Sequence, residues 1–401
     1  MKALSYLKNE KVLGALDQAV LSGASFFMGA MLLMLAAKED YGFFSILFSY
    51  VALALGLQSA LIGMVIASAA GSRPDWREIG VPAEYFQFQF ALGMGLSVVS
   101  GIVCAINFGG ELGFAFAIAM LGNWLREFRR TELISTLRTL DALRADMVYA
   151  FAAIGGALAF VTASGQATAT VALTCLGIPG IVLSVPSIVR RAREFPGLLH
   201  SVRVTLRDGS AITGWAIGGS IVSWLQGSSI LSLVGIFAGP ASAATVAAGR
   251  LFVTPLMVAI TGVGRVGLAR LVHLSPEARG RQARHMSLVL GLVAGMYGFC
   301  ATAGAAEDLW GVLPEKYRGI TPVVGAWSLV TLALAVRMPG TICEQARGRF
   351  ADLFRINLAI LPIVLIGVTL ASWKGLAAWA VVAIAGGELL LGAYLWRRIR
   401  S

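Results

Sequence analysis

The stretch 244-ATVAAGRLFVTPLMVAITGVG-264 is apolar or small throughout except for one cation, Arg250. Its length is what an α-helix needs to cross the hydrocarbon core of a bilayer, about 20 residues. A guanidinium in that setting is costly unless it meets water, an anion or a partner. This run therefore reads as a spanning helix, and the arginine as a residue with a task.

Working outward, the same kind of run recurs along the chain. The composition is 57% hydrophobic and 13% charged, with 47 glycines among 401 residues. No soluble class has that balance. Twelve spans can be placed, at residues 12–36, 42–69, 85–107, 112–127, 146–163, 168–189, 210–237, 241–265, 286–306, 321–342, 353–372 and 375–396. The first is too long for a signal-peptide core and reads as a span. The expected fold class is an all-α polytopic membrane protein of about 12 transmembrane helices. The basic connection 190-RRAREFPGLLHSVRVTLRDG-209 divides them six and six. Residues 1–195 and 196–401 are expected to form two bundles, with a substrate site between them as in many secondary transporters.

Charge placement gives orientation. Of 32 Lys and Arg, 27 fall in alternate connections, from Lys2, Lys8 and Lys11 through Arg337 to Arg397, Arg398 and Arg400. The opposite connections hold only Lys38, Lys316, Arg318 and Lys374. Basic loops stay inside, so both termini are expected in the cytoplasm. The +11 net charge thus marks topology, and no nucleic-acid partner is expected.

Small residues four apart, Gly93, Ser97 and Gly101 in "GMGLSVVSG", and likewise Gly214 with Gly218 and Gly291 with Gly295, predict close helix contacts. Pro179, Pro186, Pro255 and Pro362 fall inside spans and predict bends. The string G-x-G-x-x-G at Gly262, Gly264 and Gly267 sits at the end of a span, where no strand precedes it, so it is no dinucleotide site. There is no Walker A sequence. Cys104, Cys175, Cys300 and Cys343 and the three histidines His200, His273 and His285 show no metal spacing. No cofactor and no metal are expected.

Ionisable residues inside spans are the functional candidates. Asp17, beside Gln18, lies shallow in the first span; Glu388 follows Gly386-Gly387 in the last; Arg250 lies near the midplane of the eighth. Snorkelling to the outer surface, or a structural ion pair with Glu388, competes with a cavity-facing role for Arg250. Asp17 and Glu388 are candidate coupling or cavity charges. Gln58 and Gln226 could line the same cavity or bond between helices.

At these residues the chain resembles a family. 16-LDQAVLSGASFFMGAMLLMLAAKEDYGFFSILFSYVALALGLQSALI-62 resembles the opening of O-antigen-flippase-like polysaccharide transporters of the multidrug/oligosaccharidyl-lipid/polysaccharide (MOP) exporter superfamily. Asp17-Gln18, the small patch Ser22 to Ser25, and Glu39 to Gly42 match its D-Q pair, small residues and G-P-E-E-Y-G turn. 125-LREFRRTELISTLRTLDALRADMVYA-150 looks like its Arg-rich fourth connection. 233-LVGIFAGPASAATVAAGRLFVTPLM-257 looks like its seventh-to-eighth hairpin, with Arg250 and Thr254-Pro255-Leu256 in place. One departure is 265-RVGLARL-271, which lacks the proline of an L-P-R-L-like end.

The resemblance implies two six-helix bundles around a central cavity; without a substantial outer loop, no enzyme activity is expected. It implies a flippase in the bacterial inner membrane that moves undecaprenyl-diphosphate-linked oligosaccharide outward for polysaccharide such as O-antigen or exopolysaccharide. Arg250, Gln58 and Gln226 would bind substrate. Partners would be the lipid-linked oligosaccharide, membrane lipids, and a polysaccharide polymerase or glycosyltransferases. The alternative is an ion-coupled drug or metabolite antiporter of the same superfamily, which would need buried carboxylates such as Asp17 and Glu388. A facilitator-superfamily transporter fits less well, since "GSRPDWREIG" lacks the expected turn motif. A ligase or polymerase would carry a larger outer loop than 305–320.

Overall fold

The computed structural model describes residues 10–73, 75–76, 80–192, 194, 197–209, 213–271, 274–307 and 313–400. Lys2, Lys8, Arg77, Arg193 and His273 lie outside the described residues. The described chain is helical, in the order α1 Glu10–Leu35, α2 Lys38–Gln58, a π-helical turn Ser59–Gly63, α3 Met64–Ser72, α4 Ala83–Phe108, α5 Gly110–Ser135, α6 Thr139–Ser164, α7 Ala169–Ala192 and α8 Leu198–Gly209. It continues with α9 Thr213–Gly227, α10 Ser229–Ala238, α11 Pro240–Leu271, α12 Pro276–Glu307, α13 Thr321–Ala346, α14 Phe350–Trp373 and α15 Ala377–Arg400, with a 3-10 turn at Glu315–Tyr317 before α13. The G-x-G-x-x-G string lies wholly within α11.

Among the described residues, ten helices are long and apolar enough to cross a membrane. The pair Gly214–Gly227 and Ser229–Ala238, bent by 45°, is apolar enough to count as an eleventh when taken as one broken span. The bend falls where a Gly-Ser step interrupts the ladder, a common cause of kinks. The expected span at 112–127 is the start of α5, which is long enough at 26 residues but carries Arg126, Glu127, Arg129, Arg130 and Glu132 in its second half. Burial confirms the membrane reading from another direction. Polar Asp17, Gln89 and Ser201 are fully buried, while Ile106, Phe114, Phe151 and Phe299 are more than 70% exposed. In α12, Leu288, Leu292, Met296 and Phe299 form an exposed stripe at helical spacing, which suits lipid and not water. The protein is a multi-pass membrane protein.

The chain forms two compact units. One comprises the chain through Ala37 together with Leu47–Ile221; the other comprises Lys38–Ile46 and the chain from Val222 onward. In the first, the predicted stripe Gly93, Ser97 and Gly101 is buried on α4. A Cβ at Gly93 would overlap the Trp124 indole, and one at Gly101 would come within 2.7 Å of Ala117 Cβ. Bare backbone here is what lets α4 lie on α5. The α5–α7 contact is closer still, since Gly122 abuts the backbone of Gly177 and Gly180. The other expected contacts are mixed: a Cβ at Gly291 would come within 3.1 Å of the Val336 side chain of α13, whereas Gly214 and Gly295 face open space. In the second unit, Gly42 of α2 abuts Pro240 at the start of α11, and Gly249 lets α11 approach Val323 of α13. The four span prolines all sit inside helices, joined by Pro339 in α13.

Candidate functional site

Arg250 is built into the second unit by α11 and α13. Its backbone lies roughly 15 Å along α11 from Pro240. Side chains on a helix tilt toward its N-terminus, so the guanidinium is carried back toward the Pro240 end. There it lies 5.4 Å over the Trp327 ring, which is only six residues into α13. The Trp327 indole is fixed by donating to the Val246 carbonyl at 2.9 Å, and its face is thereby held for the cation. Tyr41, near the start of α2, is also within electrostatic reach of Arg250. Among the described residues Arg250 makes no ion pair. One turn on, Thr254 donates to the Arg250 carbonyl at 2.9 Å, and Pro255 supplies no N–H, so the helix is locally weakened below the arginine.

Glu388 does not partner Arg250. It is paired with Arg337 of α13, and both side chains are 16% exposed. Arg337 also reaches the Thr341 hydroxyl at 3.4 Å. Arg337 was expected in a basic connection, but it lies inside α13. Because α15 packs closely here, with Gly392 against the Arg337 Cβ, a carboxylate is available to neutralise it. The pair is testable as a cycle. Glu388→Gln and Arg337→Gln should each lower thermal stability, and the double variant should recover part of the loss, with a coupling of about 0.5–3 kcal/mol. Additive losses in the double variant would mean the two charges do not support each other.

Asp17 joins a different cluster, in the first unit. It is fully buried and accepts from Arg130 Nε at 2.7 Å. The same Nε lies 3.4 Å from Asp146 Oδ2, and Arg130 Nη1 lies 3.2 Å from Glu127. Arg126, one turn earlier on α5, stacks 4.3 Å over the Tyr149 ring. Tyr149 in turn donates to the Leu176 carbonyl at 3.0 Å. Arg126 and Arg130 belong to the stretch that looks like the family's Arg-rich fourth connection, yet both lie within α5, and Asp146 was not among the expected site residues. A signal was available: Arg126 and Arg130 are four apart and so share one face of a helix, with Asp146 early in the next span.

The glutamines bond between helices. Gln58 is buried and donates to the Trp124 carbonyl at 2.8 Å and to Gln89 at 3.2 Å. Trp124 answers by donating to the Gln89 carbonyl at 2.8 Å. Gln58 also sits directly before the π-helical turn, a feature that often marks functional positions. Gln226 donates to the Asn357 carbonyl at 2.8 Å, tying the end of α9 to α14.

No family model matches the chain, and no curated protein matches it in sequence. Solved structures do match in fold. A lipid II flippase MurJ, in an inward closed conformation, superposes with a TM-score of 0.71 at 11% identity, covering 98% of this chain and 87% of that one. An inward-facing multidrug resistance MATE family transporter of the MOP superfamily gives 0.62 at 14% identity, over 96% and 94% of the two chains. A MOP superfamily transporter from Pyrococcus furiosus gives 0.61 at 13% identity, over 97% and 93%. The chain has the MOP transporter fold over nearly its whole length.

Proposed function

We propose that the protein is a flippase that carries an undecaprenyl-diphosphate-linked oligosaccharide from the cytoplasmic to the outer leaflet of a bacterial inner membrane, for polysaccharide biosynthesis. The observation that carries this reading is Arg250, a span arginine that has no carboxylate partner among the described residues and is held over Trp327. A diphosphate is a polyanion whose oxygens accept two parallel hydrogen bonds from one guanidinium. The fold likeness to a lipid II flippase supports the same substrate class. Enzymes that build the lipid-linked sugar supply the substrate, and a polymerase or ligase consumes it.

An ion-coupled drug or metabolite antiporter is the second reading, and the buried carboxylates Asp17 and Asp146 favour it. Arg130 is paired with both, however, and its single charge offsets one of the two. Reconstituted vesicles separate the two. Movement of a polyprenyl-diphosphate-linked sugar to the far leaflet without efflux of a cationic dye supports the flippase. Dye efflux coupled to a proton or sodium gradient, with no lipid movement, would overturn it.

Orientation belongs to the same proposal, with both termini in the cytoplasm as the basic residues indicate. Reporter fusions after residues 40, 165 and 318 should read outside, and fusions after 135, 205 and 280 inside. One reversed reporter would break this topology.

A further inference from the structure

In the first unit, the C-terminal ends of α5 and α7 meet Trp76 and Gly80 around a cavity of about 330 Å3. Arg129, Arg138 and Arg190 line it, with Glu132, Ser187 and Trp76. Three of these side chains are cationic and one is acidic. Glu132 is already neutralised, because it is paired with buried Arg191. Arg191 is itself fixed: it donates to the Val81 carbonyl at 3.2 Å and lies 5.1 Å and 5.6 Å over the Phe86 and Phe128 rings. The Glu132–Arg191 pair is therefore a closed floor that adds no net charge.

The three remaining arginines are differently placed. Arg129 spends one of its five N–H donors on the Leu183 carbonyl, which clamps it to α7. Arg138 pairs with Asp141 at 2.9 Å, but that pair is 57% and 40% exposed and worth little. Arg190 has no ion pair among the described residues. The cavity thus presents surplus positive charge and the Ser187 hydroxyl, at the size of a small ligand site.

Basic residues at this end of the spans also set topology. That role asks only for solvated charge near the membrane, and it is met by arginines that point apart. It does not ask three of them, from two helices and a loop, to share one cavity over a neutralised floor. We propose that this cavity binds a phosphate-bearing anion at the cytoplasmic face. Guanidinium forks match phosphate oxygens, and basic pockets between spans on the cytoplasmic side suit anionic headgroups. The site is separate from Arg250, which belongs to the other unit. It does not depend on what Arg250 binds.

The test uses the full-length protein with inorganic pyrophosphate in detergent, and in nanodiscs of phosphatidylcholine with or without phosphatidylglycerol. Bound anion is read by native mass spectrometry and by the shift in melting temperature, which rises when a ligand binds the folded state. Arg138→Gln/Arg190→Gln should weaken binding about tenfold or more, as loss of charge-assisted hydrogen bonds would. Ser187→Leu should do the same by filling the cavity while leaving every charge in place. Arg281→Gln/Arg284→Gln, on exposed positions of α12, removes the same charge elsewhere and should leave binding unchanged. Stabilisation by phosphatidylglycerol alone identifies a lipid headgroup as the ligand, and stabilisation by pyrophosphate shows that a free anion suffices. The proposal is overturned if neither probe exceeds phosphatidylcholine, or if the α12 variant weakens binding as much as the cavity variants.

Discussion

Arg250→Ala is expected to abolish export of the lipid-linked sugar while leaving folded protein in the membrane. A guanidinium holding a diphosphate makes at least two charge-assisted hydrogen bonds, each worth about 1.5–3 kcal/mol. Losing both corresponds to about a hundredfold or greater loss of transport per folded molecule. Arg250→Lys keeps the charge without the planar fork and should retain partial activity. Trp327→Leu removes the ring that positions the cation and should cost less, about 0.5–2 kcal/mol. The competing account is that Arg250 is structural, through the same contact with Trp327. Under that account the two variants should lose abundance together and show normal turnover in what remains. Glu388 does not enter this test, because its partner is Arg337.

Arg130→Ala is expected to have the largest effect on stability. Its guanidinium is shared by Asp17 and Asp146, which are 0% and 2% exposed. Removing it strands two neighbouring carboxylates away from water, and breaking a buried pair this way costs roughly 3–5 kcal/mol. A fall in melting temperature and in accumulated protein should follow. The triple variant Asp17→Asn/Arg130→Ala/Asp146→Asn removes both of the fully buried carboxylate charges and should recover most of the stability. Its transport activity then reports whether the cluster does more than hold α1, α5 and α6 together. If Arg130→Ala is as stable as the unaltered protein, the cluster is solvated and this reading of it fails.

The span pattern and the small-residue face of α4 were legible in the sequence for a simple reason. In a membrane each helix must satisfy its own backbone, so length and apolarity register span by span, with no knowledge of neighbours. The all-α class rests on that local requirement, and so does the buried stripe Gly93, Ser97 and Gly101. Arg250 stood out by the same logic, as one charge in an apolar run. Which charges meet was another matter. Arg337 and Arg130 looked like loop residues because each follows or begins a charged stretch, yet α13 and α5 carry them into their bundles. Glu388 found Arg337, and Asp17 found Arg130, across gaps of 51 and 113 residues in the chain. A buried charge is tolerated only beside its counter-charge, and that neighbour is set by which helices pack together. Periodicity along one helix carries no record of the side chain facing it from another. The sequence therefore determined that these charges lie in or against the membrane, and the tertiary structure alone decided that Asp17 and Glu388 are paired while Arg250 has no carboxylate partner among the described residues.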